Sequence, residues 1–274
     1  MALFIAQDSS PEKSYNGRMD DKFKQLPSAD LIPLEIVVGL ECMQGALEVD
    51  NVYAQDEHKE NVFGRIYAKN ARCIGHIDLV TIVADAALYL QKNFSWTLIV
   101  KDCLRPLEAQ QKMIETKIVQ QNPQWLEEPR FLSSPGMGGH PRGMAIDISA
   151  KDKAEKDIDF GTSFDHFSDS AEAQHNPAHR QYPQLTPTVK RNRERLDKAM
   201  LEAARKRGKE LVFLSTEWWD YRLPAEISNQ YAPISDNDLK SWQKIMTEPE
   251  PIPQNVTKEI ASRLTDDLNK FGNF

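Results

Sequence analysis

Between residues 77 and 92 the apolar side chains fall at Leu79, Val80, Ile82, Val83, Ala86, Ala87 and Leu90. That three-and-four spacing puts one stripe on a helix and predicts a buried face there. Residues 188–207 repeat the pattern, with Leu196, Ala199, Met200 and Ala203 on one side, basic residues on the other and Gly208 as a stop. Residues 107–120 read as a further helix, with Pro106 at a helix-starting position. More helices are expected near residues 236–246 and over 256–271. Short continuous apolar runs predict strands at 34–40, 96–100, 144–148 and 211–214. The polar residues 7–30 read as an irregular arm, and the region from Val49 to Cys73 reads as loop-rich. Residues 122–135 form a proline-containing loop, and the charge run at 151–157 reads as solvated. Residues 168–187 are long, polar and histidine-bearing, as binding loops and lids often are.

Composition narrows the function classes. The chain has 274 residues and a net charge of -7, with acidic and basic residues mixed along most of its length. This argues against nucleic acid or an anionic membrane as partner and favours a small-molecule or peptide substrate. Three cysteines, Cys42, Cys73 and Cys103, form neither a disulfide framework nor a Cys-x-x-Cys metal site. The first eight residues lack a basic region and a signal-length apolar run, and no later segment is long enough to span a bilayer. A cytoplasmic location is therefore expected; oligomeric state is left open.

Candidate chemistry concentrates at Gly138-Gly139-His140-Pro141-Arg142-Gly143-Met144-Ala145-Ile146-Asp147. A glycine-rich loop presents His140 and runs into a strand in which Asp147, between Ile146 and Ile148, points away from the apolar side. The pair suits a divalent metal. It suits equally a loop histidine and a solvated strand carboxylate. Arg105 follows the strand at 96–100 and stands at a strand-to-helix turn, where its fixed charge suits a carboxylate or an oxyanion, or a plain surface ion pair. Asp165 lies in an aromatic-flanked turn, Gly161-Thr162-Ser163-Phe164-Asp165. His175 and His179 share a helical spacing that Pro177 interrupts. In Glu217-Trp218-Trp219-Asp220, strand alternation sets Glu217 with Trp219 and Trp218 with Asp220 unless the chain bends.

Arg105-Pro106, His140 with Gly143, Ala145 and Asp147, the turn ending at Asp165, and Glu217-Trp218-Trp219 occur in one order. That order resembles the D-alanyl-D-alanine dipeptidase family of zinc peptidases, related to the D,D-carboxypeptidases that trim peptidoglycan in the cell wall. The resemblance spans roughly residues 34–223. It implies an α+β single domain over residues 31–223, with a small, mostly antiparallel sheet carrying the site and helices packed around it. Residues 1–30 would be an irregular arm and 224–274 a C-terminal helical extension. It further implies a metal on His140, Asp147 and the residue at 220, Glu217 as general base, Arg105 stabilising the oxyanion, and Asp165 facing a dipeptide's free amino group.

Two positions depart from the family pattern. Its third ligand histidine is Asp220 here, and its serine beside the substrate is Gly138. A carboxylate third ligand moves the preference from Zn2+ toward oxygen-seeking ions such as Mn2+, and leaves His166, His175 or His179 as alternative sources of nitrogen. The expected function is metal-dependent hydrolysis of D-alanyl-D-alanine or a similar small D-amino-acid peptide. The alternatives are a catalytically impaired relative that binds peptidoglycan fragments or a partner, and a hydrolase of another cell-wall peptide.

Overall fold

The computed structural model describes residues 23–128 and 130–271, so most of the expected N-terminal arm lies outside the described residues. Five strands form the main sheet, in the order β2 (Leu47–Val49), β4 (Trp96–Asp102), β5 (Ala145–Asp152), β7 (Asp220–Arg222) and β6 (Val212–Phe213). Only β2 and β4 run parallel; the other neighbours are antiparallel. A separate antiparallel pair joins β1 (Leu31–Pro33) to β3 (Ile74–His76). The expected α+β class with a small, mostly antiparallel sheet is what the chain adopts.

The helical stripe at 77–92 becomes α2 (Ile77–Phe94), whose residues Leu79, Val80, Ile82, Val83, Ala86, Ala87 and Leu90 are buried. His76 caps it by accepting from the Asp78 N–H, and Ser95 ends it in the left-handed conformation. Helix α2 packs on β4 and on α5 (Pro187–Lys206), which Thr186 caps through the Val189 N–H. Each of the larger stripe residues contributes about 1.5–3 kcal/mol by leaving water. Ile146 and Ile148 of β5 join the core, so Asp147 between them must face the other way.

The local reading fails at several places. Residues 34–40, expected as a strand, contain the short helix α1 (Leu34–Val38). Leu34 and Val37 are both fully buried one helical turn apart, and a short apolar run carries too little periodicity to separate the two forms. The single helix expected at 107–120 is two, α3 (Leu107–Ile114) and α4 (Lys117–Gln121). Thr116 breaks it by donating its hydroxyl to the Met113 carbonyl and turning extended. Lys151 and Asp152, expected in a solvated run, continue β5 opposite Thr97 and Trp96. Residues 236–246 hold two short 3-10 turns instead of a helix, because the Asp236 carboxylate takes the Ile245 and Met246 N–H groups. Beyond the short α6 (Ala225–Ser228), the final helix α7 (Gln254–Phe271) buries Leu264 and Leu268 and packs on α1 and α2.

Candidate metal and catalytic site

Strand register sets three aspartates in a row across the sheet. Asp102 on β4 lies opposite Asp147 on β5, and Asp147 lies opposite Asp220 on β7. All three are buried. Like charges directly opposite one another are destabilising in a sheet, so this row stands only if cations meet it. Two arginines and a histidine meet it: Arg105 at Asp102, Arg222 at Asp220, and His140 between Asp147 and Asp220.

His140 enters on a 3-10 turn, His140–Arg142, that ends at Gly143 with φ +62°. A side chain there would be strained by that φ and crowded, its Cβ 3.3 Å from the His76 nitrogen. The turn aims the imidazole inward. Its Nδ1 lies 2.7 Å from the Cys103 carbonyl, which can only accept, so Nδ1 carries the hydrogen and Nε2 faces the carboxylates. Nε2 is 3.5 Å from Asp147 Oδ2 and 3.4 Å from Asp220 Oδ2. Burial acts to lower the imidazole pKa, but the Asp147 carboxylate, with hydrogen bonds to Asp147 and Asp220, carries it up to about 10. Burial, which the ring only partly offsets, pushes Asp147 up.

On the β4 side, Asp102 Oδ2 accepts from Arg105 Nη2 at 2.7 Å and Nε at 3.0 Å, while Tyr67 donates to Oδ1 at 2.7 Å. Arg105 lies over the Tyr53 ring, 5.2 Å from its centre, and 3.6 Å from Asp147 Oδ2. The Tyr53 hydroxyl donates to Asp165 Oδ2 at 2.8 Å. Asp165 has φ +58°, a left-handed conformation uncommon for non-glycine residues though milder for aspartate, and its neighbours constrain it. The constraint is visible: Glu60 accepts from the Phe164 N–H, and Lys101 ties Glu60 and Asp50 to β4 at 2.7 and 2.8 Å. Burial raises the Asp165 carboxyl to about 7, against the lowering effect of Arg105 and the Tyr53 hydroxyl.

On the β7 side the chain bends before the strand. Trp218 stacks on Phe160 and donates its indole N–H to Thr162, and Trp219 packs edge-on against Phe164. Both rings thus anchor the 159–165 turn, and Glu217, half-buried, lines the same cavity as Asp147 and Asp220. Burial pushes the Glu217 carboxyl well above its usual range, with Asp220 and Asp147 adding to it. Asp220 goes the opposite way. Burial would raise it, yet Arg222, whose Nε meets Oδ1 at 2.7 Å and Nη2 meets Oδ2 at 2.5 Å, holds it well below the carboxylate range together with His140.

Do these residues suit a metal ion? Two donors on a tetrahedral ion with bonds of about 2.1 Å stand about 3.4 Å apart, and His140 Nε2 stands 3.4 and 3.5 Å from the two aspartate oxygens. Asp102, His140 and Asp147 bring ligand atoms within 4.8 Å of one another, as do Asp147, Glu217 and Asp220. Asp147 Oδ1 is buried with no hydrogen-bond partner. A cation is the group that would complete it, and the donors fit one. A third group, Asp50, His58 and Glu60, is already filled by the Lys101 ammonium.

Arg105, Gly138, His140, Asp147, Asp165, Glu217 and Asp220 all line one cavity. His166, His175 and His179 do not. His175 is exposed and near Glu172, and His179 Nδ1 accepts from the Gln181 N–H. The three alternative histidines thus lie outside the cavity. Sequence reading missed Asp102, Tyr53, Tyr67 and Arg222. Arg222 had a legible signal, standing two residues after Asp220 on the same strand face; the tyrosines, from distant loops, had none.

A family model described as D-ala-D-ala dipeptidase matches residues 36–237. The D-alanyl-D-alanine dipeptidase of Escherichia coli (strain K12) is 28% identical over 183 residues, covering 66% of this chain and 81% of that protein. No described helix is long and apolar enough to cross a membrane. With its match spanning most of the chain and its site residues gathered in one cavity, this chain belongs to the D-ala-D-ala dipeptidase family.

Proposed function

We propose that this protein is a metal-dependent dipeptidase acting on D-alanyl-D-alanine or a similar small peptide, with Zn2+ or Mn2+ on His140, Asp147 and Asp220. The observation that carries the reading is the row of three buried aspartates with one orphaned oxygen at its centre. A bound divalent ion would supply Lewis-acid polarisation of the scissile carbonyl and a more acidic water. Glu217, whose proton affinity is raised by burial, takes a proton from the attacking water and passes it to the leaving amine. Arg105, locked on Asp102, offers its charge to the oxyanion of the tetrahedral intermediate without reorganising. Asp165, held by Tyr53, faces the free ammonium of the dipeptide.

The test is hydrolysis of D-alanyl-D-alanine with zinc, manganese and cobalt, beside a Glu217→Ala control. Turnover that depends on both metal and Glu217 is expected; no turnover above the control with any of the three would sink the reading. The second reading, a peptide-binding relative without catalysis, draws on Arg222 engaging both oxygens of Asp220. Ligand binding that persists without metal and ignores Glu217→Ala would favour it.

A further inference from the structure

Arg222 uses only part of its fork. Nε and Nη2 engage Asp220, whereas no described group accepts from Nη1. The side chain lines the same cavity as Glu217 and His140. At Gly138, with φ +82°, a Cβ would stand 3.8 Å from Arg222 Nη1 and 3.8 Å from Ser133 Oγ. The absent side chain therefore leaves open the space between a guanidinium edge and a hydroxyl, and Ser133 lines the cavity with no partner among the described residues. A guanidinium has five N–H donors in a fixed plane, so committing two to Asp220 fixes where the others point. The place of Arg222 in the sheet adds polarity. It comes from β7, while Asp165 and Tyr53 gather beside Arg105 at the end of β4, with β5 and Asp147 between. One flank of the cavity is thus built for a cationic group and the other holds unspent donors.

We infer that Nη1 of Arg222, with the Ser133 hydroxyl, is the anchor for the terminal carboxylate of the bound peptide. The inference rests on the peptidase reading and adds to it a specificity residue that belongs to this chain: at Gly138, where the resembled family carries serine, the space between the arginine edge and Ser133 is left to the ligand. The same arginine then links recognition to the site, because a carboxylate on Nη1 and Asp220 on the opposite edge share one rigid group. A peptide whose C-terminus is blocked loses this contact and leaves the donors unpaired.

Calorimetric binding of D-alanyl-D-alanine and of its C-terminal amide tests this, in the full chain carrying Glu217→Gln to suppress turnover, with and without Arg222→Gln. The expected result is that the free acid binds about tenfold or more tightly than the amide, and that Arg222→Gln removes the difference. Ser133→Ala, which leaves Asp220 untouched, should narrow the preference by about a factor of three to ten. Elemental analysis of each variant separates loss of the anchor from loss of metal. Equal affinities for acid and amide with Arg222 present, no binding of either, or a preference that survives Arg222→Gln at full metal content would overturn the inference. The two readings fail apart: an Arg222-dependent acid preference in a protein that cleaves nothing leaves the anchor standing and removes the peptidase, and cleavage without that preference does the reverse.

Discussion

Two aspartate–arginine pairs flank Asp147, and they are built differently. In the first, Arg105 puts Nε and Nη2 on one oxygen of Asp102 while Tyr67 takes the other, so both carboxylate oxygens are occupied by the protein. In the second, Arg222 spans both oxygens of Asp220, and Oδ2 still faces His140. The first sits at the end of a seven-residue strand paired on both sides; the second sits on a three-residue strand that follows a bend. The same two residue types thus make a closed support on one flank and an open, shared carboxylate on the other. A buried ion pair does not reveal its role by composition; the remaining lone pairs and donors decide it.

Arg105→Lys strikes hardest at the closed flank, because an ammonium cannot reproduce the two-donor grip on Asp102 while offering charge to the reaction. A fall in kcat of about 100-fold with metal content unchanged is expected from steady-state kinetics and elemental analysis. An unchanged kcat would make Arg105 a purely structural partner of Asp102. Lys101→Met attacks the support of the same flank from behind, leaving Asp50 and Glu60 without their shared cation. Urea unfolding should register a loss of about 3 kcal/mol, and KM should rise as the Phe164-Asp165 turn loosens. A stability change with no change in KM would separate the network from the turn.

The smallest effect is a pH profile. The Asp165 carboxyl is raised to about 7, so it is neutral below that pH and charged above it. Its attraction for a substrate ammonium is therefore lost as pH falls through about 7, while the ammonium itself is lost as pH rises past about 8. KM should be lowest between these limits and rise by up to about tenfold per unit on the acid side. Asp165→Asn should raise KM and flatten the acid limb; an acid limb unchanged in that variant would assign it to another group.

Much of this was legible in the residues themselves. The stripes of α2 and α5, the strand at 96–100 and the placement of Asp147 between two core isoleucines follow from periodicity, because burial demands it. The failures have two causes: at 34–40 the apolar run is too short to show a period, and at 116 and 236 one side chain's hydrogen bonds outweighed the apolar pattern. Among the site residues, Arg105, His140, Asp147, Asp165, Glu217 and Asp220 were singled out from motifs, and one cavity gathers them. Tyr53 and Tyr67 act from far away in sequence, so no spacing announces them.

The sequence by itself determined which side chains point away from the core, since alternation along a strand and recurrence along a helix are properties of the chain. It also determined the departure at position 220. Only the tertiary structure decided what that departure means. Cross-strand register placed three aspartates in one row, and the repulsion among them required Arg105, Arg222 and His140 to converge from separate elements. Register is a relation between strands, and no single stretch of the chain contains it.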